Sequence, residues 1–255
     1  MSLLETVLGR WRRGPGRRFV VVFPGRTGSS WLRDALERHP RVSMRGEMLV
    51  GLDAAAQRRA VAQVFGRVRA GRAAGFKTKL KDVADPAFLA ETIERYDATV
   101  VRMRREDLLR LALSRINARR LHDAAGRWNA GEGVEPVEAR AIEPEVLREA
   151  LESARGEVDR VEAFVRRLDR PVVEVAYHEI LQDPTAVLHR IQSVLGVRAR
   201  ALESRVVKNT TEDLAEAVPN LDEVVAAFEG GEWSRVFQVD RRVEGPAITD
   251  HDDEG

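Results

Sequence analysis

Phe19-Val-Val-Val-Phe23 is an unbroken apolar run, the pattern of a strand buried on both faces of a parallel sheet. Gly75-Phe-Lys-Thr-Lys-Leu80, Ala98-Thr-Val-Val-Arg-Met103 and Pro171-Val-Val-Glu-Val175 are short segments of the same strand-forming kind. Between them the apolar positions change to helical spacing. Pro24-Gly25 ends the first run, and Ser29 or Ser30 can cap a helix reaching about Glu37. His39-Pro40 then begins an irregular stretch through Leu49. Asp53 opens a helix that runs to near Gly71, and Asp85-Pro86 starts another. Further helices are predicted from about Glu106 to Leu121, from Pro144 to Leu168, near 177–182, near 184–195 and near Leu221–Phe228. Strands alternating with helices predict βαβ units: an α/β fold, one three-layer domain with a parallel central sheet flanked by helices.

A chain of 255 residues holds one large domain with a well-formed core. That domain is expected over residues 18–246, after an N-terminal helix or arm at 1–17 and before a disordered acidic tail at 247–255. Residues 123–143, rich in Gly, Ala and acids, form a loop long enough to suggest a functional role. Leu3, Leu4, Val7, Leu8 and Trp11 fall at helical spacing ahead of Arg12, Arg13, Arg17 and Arg18. A secretory signal would carry its charge before the apolar stretch, so this is read as a short helix docking on the domain. Peripheral membrane contact through residues 1–18 is the alternative. No apolar run approaches the roughly 18–20 residues that a transmembrane helix needs, so the expected compartment is the cytoplasm.

Composition changes little in this picture. A formal net charge of +1 predicts no general attraction to nucleic acid or anionic membranes. There are no cysteines, which excludes thiol chemistry and thiolate metal sites. Basic charge is almost all arginine, and of only four lysines three stand at Lys77, Lys79 and Lys81. Alternating along a strand, these three would project from one face, to line a site mouth or simply to meet solvent.

Chemistry is concentrated in Pro24-Gly-Arg-Thr-Gly-Ser-Ser-Trp-Leu32, which joins a buried strand to a helix. Free backbone N–H groups and the positive end of a helix dipole make such a junction an anion site. Gly25 and Gly28 permit close backbone approach, Thr27, Ser29 and Ser30 add hydroxyls, and Arg26 adds a charged fork. The lysine of an NTP-binding P-loop is absent, since Ser29 follows Gly28, and no G-x-G-x-x-G fingerprint occurs.

Arg26-Thr27-Gly28-Ser29-Ser30-Trp31-Leu32 resembles the 5′-phosphosulfate loop of sulfotransferases that use 3′-phosphoadenosine-5′-phosphosulfate (PAPS), particularly bacterial carbohydrate-type members. The resemblance covers about residues 18–229 and implies a P-loop-like sulfotransferase fold. It implies that Arg26 meets the bridging oxygen and sulfuryl group, that residues 27–30 wrap the 5′-phosphate, and that Trp31 stacks on adenine. Core packing is the alternative role for Trp31. Arg105 and Ser114, nine residues apart, match the pair that holds the 3′-phosphate in the family, with Arg104 as the alternative arginine. Val207-Lys208-Asn209 resembles the C-terminal segment in which a lysine approaches the cofactor.

Transfer of a sulfuryl group to an alcohol needs a base, worth typically ~10²–10⁴-fold, and positive charge on the leaving phosphate. His39-Pro-Arg-Val-Ser-Met-Arg-Gly-Glu47 resembles the His-Pro…Gly-Glu segment of bacterial sulfotransferases, which makes Glu47 the candidate base. His39 and His122 are the alternatives. The expectation is a PAPS-dependent transferase acting on a hydroxyl of a small acceptor, with no metal, no nucleic-acid partner and no oligomeric state readable. A nucleotide phosphotransferase with an atypical P-loop, or a non-catalytic nucleotide-binding protein, are the rivals.

Overall fold

The structure, a computed structural model, describes residues 15–126, 139–206 and 213–238. Five strands form one sheet: β1 (Arg17–Val22), β2 (Val42–Arg45), β3 (Ala73–Thr78), β4 (Thr99–Arg104) and β5 (Val172–Ala176). Their order is β2-β3-β1-β4-β5 and every pairing is parallel. The chain leaves central β1 toward β2, returns to β3, and then crosses to β4 on the other side. Loops at the carboxyl end of β1 therefore sit where the winding reverses, which is where open α/β sheets bind ligands.

The helices are α1 (Ser29–Glu37), α2 (Ala54–Phe65), α3 (Pro86–Arg95), α4 (Leu108–Ala125), α5 (Pro144–Arg166), α6 (Tyr177–Gln182), α7 (Pro184–Val194), α8 (Leu214–Ala217) and α9 (Leu221–Ala227). Alternation along β1 divides the core. Phe19 and Val21 pack with Leu32 and Leu36 of α1 and with Leu188 and Ile191 of α7. Val20 and Val22 pack with Phe65 of α2, Ile93 of α3 and Phe164 of α5. The sheet is thus covered on both faces, as the continuous apolar run of β1 requires. A third cluster joins α4 and the start of α5 to α9 and to the 3₁₀ helix Glu232–Phe237.

Aspartate carboxylates cap α2, α3, α4 and α7 through Asp53, Asp85, Asp107 and Asp183, a contribution of about 1 kcal/mol each. Against the sequence reading, the stretch after Pro40 contains the edge strand β2, and α2 stops at Phe65 where Gly66 ends it. The third strand begins at Ala73 and gives way to a 3₁₀ helix, Leu80–Asp82, so Lys81 leaves the strand. No helix among the described residues is long and apolar enough to cross a membrane. The N-terminal arm up to residue 14, most of the loop 123–143, Lys208 and the acidic tail lie outside the described residues.

Gly75 sets the spacing of the two central strands. It pairs with Phe19, and a Cβ there would lie 2.2 Å from the Phe19 carbonyl oxygen. Gly75→Ala is expected to cost roughly 1–3 kcal/mol, read as a lower thermal unfolding midpoint. An unchanged midpoint would mean that β1 and β3 tolerate a wider separation than this packing shows.

Candidate active site

After Pro24 the chain turns through two residues in the left-handed region, Arg26 (φ 71°) and Gly28 (φ 83°). For arginine this conformation costs roughly 1–3 kcal/mol, and such strain concentrates at functional sites. Thr27 Oγ1, fully buried, donates to the Pro24 carbonyl at 3.1 Å and closes the turn. At Gly28 a Cβ would meet Ile180 Cδ1 of α6 at 3.0 Å, so a side chain is disfavoured by the conformation and would also press on Ile180. Gly28 is also the N-cap of α1, and no side chain caps this helix. The first-turn N–H groups of a helix have no intrahelical acceptor, so this end presents donors and a positive dipole toward the loop.

Ser29 and Ser30 are the first helical residues rather than the cap. Both hydroxyls accept from the Lys77 ammonium, at 3.1 Å each. Lys77 enters from β3, where it pairs with Val21, and it is only 4% exposed. Its Nζ also stands 3.2 Å from Glu47 Oε1, and Lys79 Nζ lies 2.5 Å from Glu47 Oε2. Burial pushes the Lys77 pKa down, with the Glu47 charge pulling the other way. For Glu47, burial alone would raise the carboxyl, but the Lys79 hydrogen bond and the Lys77 charge overcome it and hold the pKa below its ordinary value. Two of the three clustered lysines, Lys77 in β3 and Lys79 just beyond it, thus converge on one carboxylate. Lys81, on the 3₁₀ helix, turns instead to Glu157 at 2.8 Å.

Arg26 reaches the other way. Its Nε donates to Ser114 Oγ of α4 at 3.1 Å, and Ser114 is buried. Arg105 lies over the Tyr177 ring at 4.3 Å, close enough that its charge and that of Arg26 act on each other. Burial lowers the pKa of both guanidiniums. Among the described residues no carboxylate lies within ion-pair distance of Arg105, whereas Arg104 meets Glu106 at 2.7 Å and Glu174 at 3.7 Å, and Arg102 meets Glu162. Arg26, Arg105 and Ser114 therefore form one polar cluster, and Lys77, Lys79 and Glu47 another, on either side of the loop. Lys77 touches both the Ser29 and Ser30 hydroxyls and the candidate base.

The remaining sequence candidates fall elsewhere. Trp31 is half-buried and packs against the core cluster of Phe19 and Leu36. His39 is buried with both ring nitrogens engaged, Nδ1 accepting from Arg41 N–H and Nε2 meeting the Arg198 carbonyl at 3.0 Å. Those bonds tie the end of α1 to the segment after α7. His122 lies near the end of α4 beside Asp123.

Glu157, which sequence reasoning passed over, holds the loop from behind. Its Oε2 accepts from Gly25 N–H at 3.0 Å and from Arg115 Nη2 at 2.5 Å, while Oε1 pairs with Lys81. The signal was present in α5: Leu147, Leu151, Ala154, Glu157, Val161 and Phe164 are its buried positions, so one carboxylate stands in an apolar stripe. Burial would raise the Glu157 pKa, but the Lys81 and Gly25 hydrogen bonds and the Arg115 charge hold it below its ordinary value.

No family model and no curated protein matches this chain. Among solved structures it is similar to a sulfotransferase from Alicyclobacillus acidocaldarius, at 18% identity over 83% of this chain and 91% of that one, TM-score 0.45. It is also similar to the sulfotransferase domain from the curacin biosynthetic pathway, at 15% identity over 83% and 87%, TM-score 0.48. A mouse sulfotransferase complexed with PAP matches at 12% identity over 92% and 94%, TM-score 0.42.

A carboxylate whose folded pKa is depressed contributes stability that is complete above its unfolded value and fades as pH falls through the folded one. Glu157 should therefore steepen the acid limb of stability below its ordinary value of 4.5. Glu157→Gln is expected to be less stable at neutral pH and to show a shallower loss on acidification, measured by thermal unfolding at stepped pH. Equal acid slopes in both proteins would contradict the assigned network.

Proposed function

We propose that this chain transfers a sulfuryl group from PAPS to a hydroxyl of a small acceptor. The observation that carries this reading is the placement of Lys77, one buried ammonium shared between the Ser29 and Ser30 hydroxyls at the anion-binding end of α1 and the Glu47 carboxylate. Anion cradle and candidate base are thereby coupled through a single charge. The donor set fits a phosphosulfate: backbone N–H groups of a helix start, two hydroxyls and a buried cation, with no carboxylate in that turn.

Residues 26–30 would wrap the 5′-phosphosulfate, and Arg105 with Ser114 would hold the 3′-phosphate, with Arg26 between the two groups. Arg105 is preferred to Arg104 because Arg104 is already engaged by two carboxylates. The family resemblance adds Trp31 at the adenine and Lys208 near the cofactor. Glu47 accepts the proton of the acceptor hydroxyl as the acceptor oxygen bonds to sulfur and the bond from sulfur to the phosphate oxygen breaks. Lys77 and the first turn of α1 stabilise the charge left on that phosphate. With anionic oxygens competing for Lys77 and Lys79, the Glu47 carboxylate is released from its clamp and becomes a stronger base.

A second reading has one observation in its favour. A P-loop lysine is missing from the loop sequence, yet Lys77 supplies an ammonium to the same helix turn from β3, so phosphoryl transfer is the rival.

Incubation with PAPS labelled in the sulfate, against a panel of sugar, phenol and alcohol acceptors, tests the proposal. Label is expected to pass to an acceptor or slowly to water, and Glu47→Gln should slow this by ~10²–10⁴-fold. Label that stays on PAPS throughout, with terminal phosphate released from ATP–magnesium, would replace sulfuryl by phosphoryl transfer.

A further inference from the structure

A groove of about 680 Å³ runs along the edge strand β2 on the side of α2. Arg41, Arg45, Arg67, Arg69 and Arg72 line it, all exposed, and no Asp or Glu does. Among the described residues none of these five lies within ion-pair distance of a carboxylate; Arg72 donates to the Pro40 carbonyl. Some other surface arginines are answered by acids, as in Arg33–Glu37, Arg58–Asp85 and Arg155–Glu232; what sets this groove apart is that five gather in one concavity with no acid in its lining. A neighbouring cavity of about 590 Å³ shares Arg41 and adds Arg198 and Arg200, again with no acid in its lining. Seven arginines thus share one edge of a chain whose net charge is +1. Like charges crowded within about a Debye length of ~8–10 Å repel, and an anionic ligand relieves that repulsion.

The groove reaches the segment that carries the candidate base: Arg45 and Met48, which flank Gly46 and Glu47, are in its lining. Arg45 ends β2, Gly46 follows, and Glu47 comes next; Met48, one residue beyond it, lines the groove. A ligand touching Arg41 and Glu47 together must span the four residues of β2, roughly 13 Å at about 3.3 Å per residue. That length calls for a chain molecule with several charges rather than a single small anion. Its lining includes no aromatic residue on which nucleic-acid bases would stack. It is concave, with Met48 and Val64 also in its lining, and a flat bilayer surface makes poor contact there. Guanidinium forks suit carboxylates and sulfates in a bidentate manner.

We propose that this groove binds an anionic glycan chain, bearing uronate or sulfate groups, and presents one of its hydroxyls to Glu47. The inference rests on the sulfotransferase reading for its outcome but on the groove alone for its binding. Residues 1–14 carry three arginines and one glutamate and do not complement it. The acids Asp250, Asp252, Asp253 and Glu254 of the chain's own tail do, and are the competitor to exclude.

The test is fluorescence anisotropy of the full chain with labelled oligogalacturonate, with neutral maltohexaose, a single-stranded oligonucleotide and phosphatidylglycerol vesicles as comparators. Oligogalacturonate is expected to bind, weaken with salt, and lose about tenfold or more of its affinity in the triple variant R67S/R69S/R72S. That variant should keep the thermal shift induced by PAP, which shows that it folds. Binding no tighter than maltohexaose, or unaffected by the triple variant, overturns the groove. Tighter arginine-dependent binding of the oligonucleotide or vesicles overturns the ligand class. Binding that appears only in D250N/D252N/D253N/E254Q makes the groove the seat of the tail and overturns the proposal as well. Oligogalacturonate binding without any PAP shift in the wild type leaves the groove standing and removes the donor assignment instead.

Discussion

An ammonium group buried near the carboxyl end of a parallel sheet has to be satisfied from within the protein, and the architecture around Lys77 follows from that requirement. Removing an ion from water costs several kcal/mol after relaxation, more than one ordinary hydrogen bond returns. Two serine hydroxyls, one carboxylate and the face of Phe23 at 5.2 Å supply the compensation. The serines must then begin a helix, the helix must follow β1 immediately, and Glu47 must emerge beside the end of β3. The turn through Arg26 and Gly28, with its two positive φ angles, is what brings α1 within reach. A structural ion pair alone would place such a group almost anywhere. Its location near the carboxyl end of β3, beside central β1 and against an uncapped helix start, is what makes it a candidate for handling anions.

The second buried charge complements the first. Glu157 anchors Gly25 from the opposite side of the sheet and gathers Lys81 and Arg115, so the loop is held between a carboxylate behind and an ammonium in front. Side chains contributed by β3 and α5 thus add to the loop's own Thr27–Pro24 bond in holding it rigid. The loop can therefore present backbone donors without collapsing onto them, which is what preorganised anion binding demands.

What was legible in the sequence was local. Phe19–Phe23, the Gly and hydroxyl residues of 24–30 and the Asp-Pro helix starts encode their structures within a few residues, and the strand, the turn and the helices stand where the pattern puts them. Strand β2 was hidden because Val42-Ser-Met-Arg45 offers only two apolar positions, too few to separate from a loop. The roles of Lys77 and Glu157 were hidden for another reason: their partners lie 48 and 132 residues away, so only the folded chain shows a lysine in a strand to be buried or a glutamate in a helical stripe to be paired. The arginine groove escaped because net charge averages over the surface, and its arginines come from two separated stretches of chain. The expected single face of Lys77, Lys79 and Lys81 failed at the third residue, where the 3₁₀ helix replaces the strand.

The central claim is that two phosphate positions of one nucleotide are met by two clusters, the α1 start with Lys77 on one side and Arg105 with Ser114 on the other. Calorimetric titration with PAP, 5′-AMP and ATP–magnesium addresses it most directly, in the wild type and in Arg105→Ala. The account predicts that PAP binds at least about tenfold more tightly than 5′-AMP, as an added charge-assisted contact would give, and that Arg105→Ala erases the difference while 5′-AMP binding persists. Equal affinity for PAP and 5′-AMP in the wild type, or binding of ATP–magnesium with none of PAP, would contradict it.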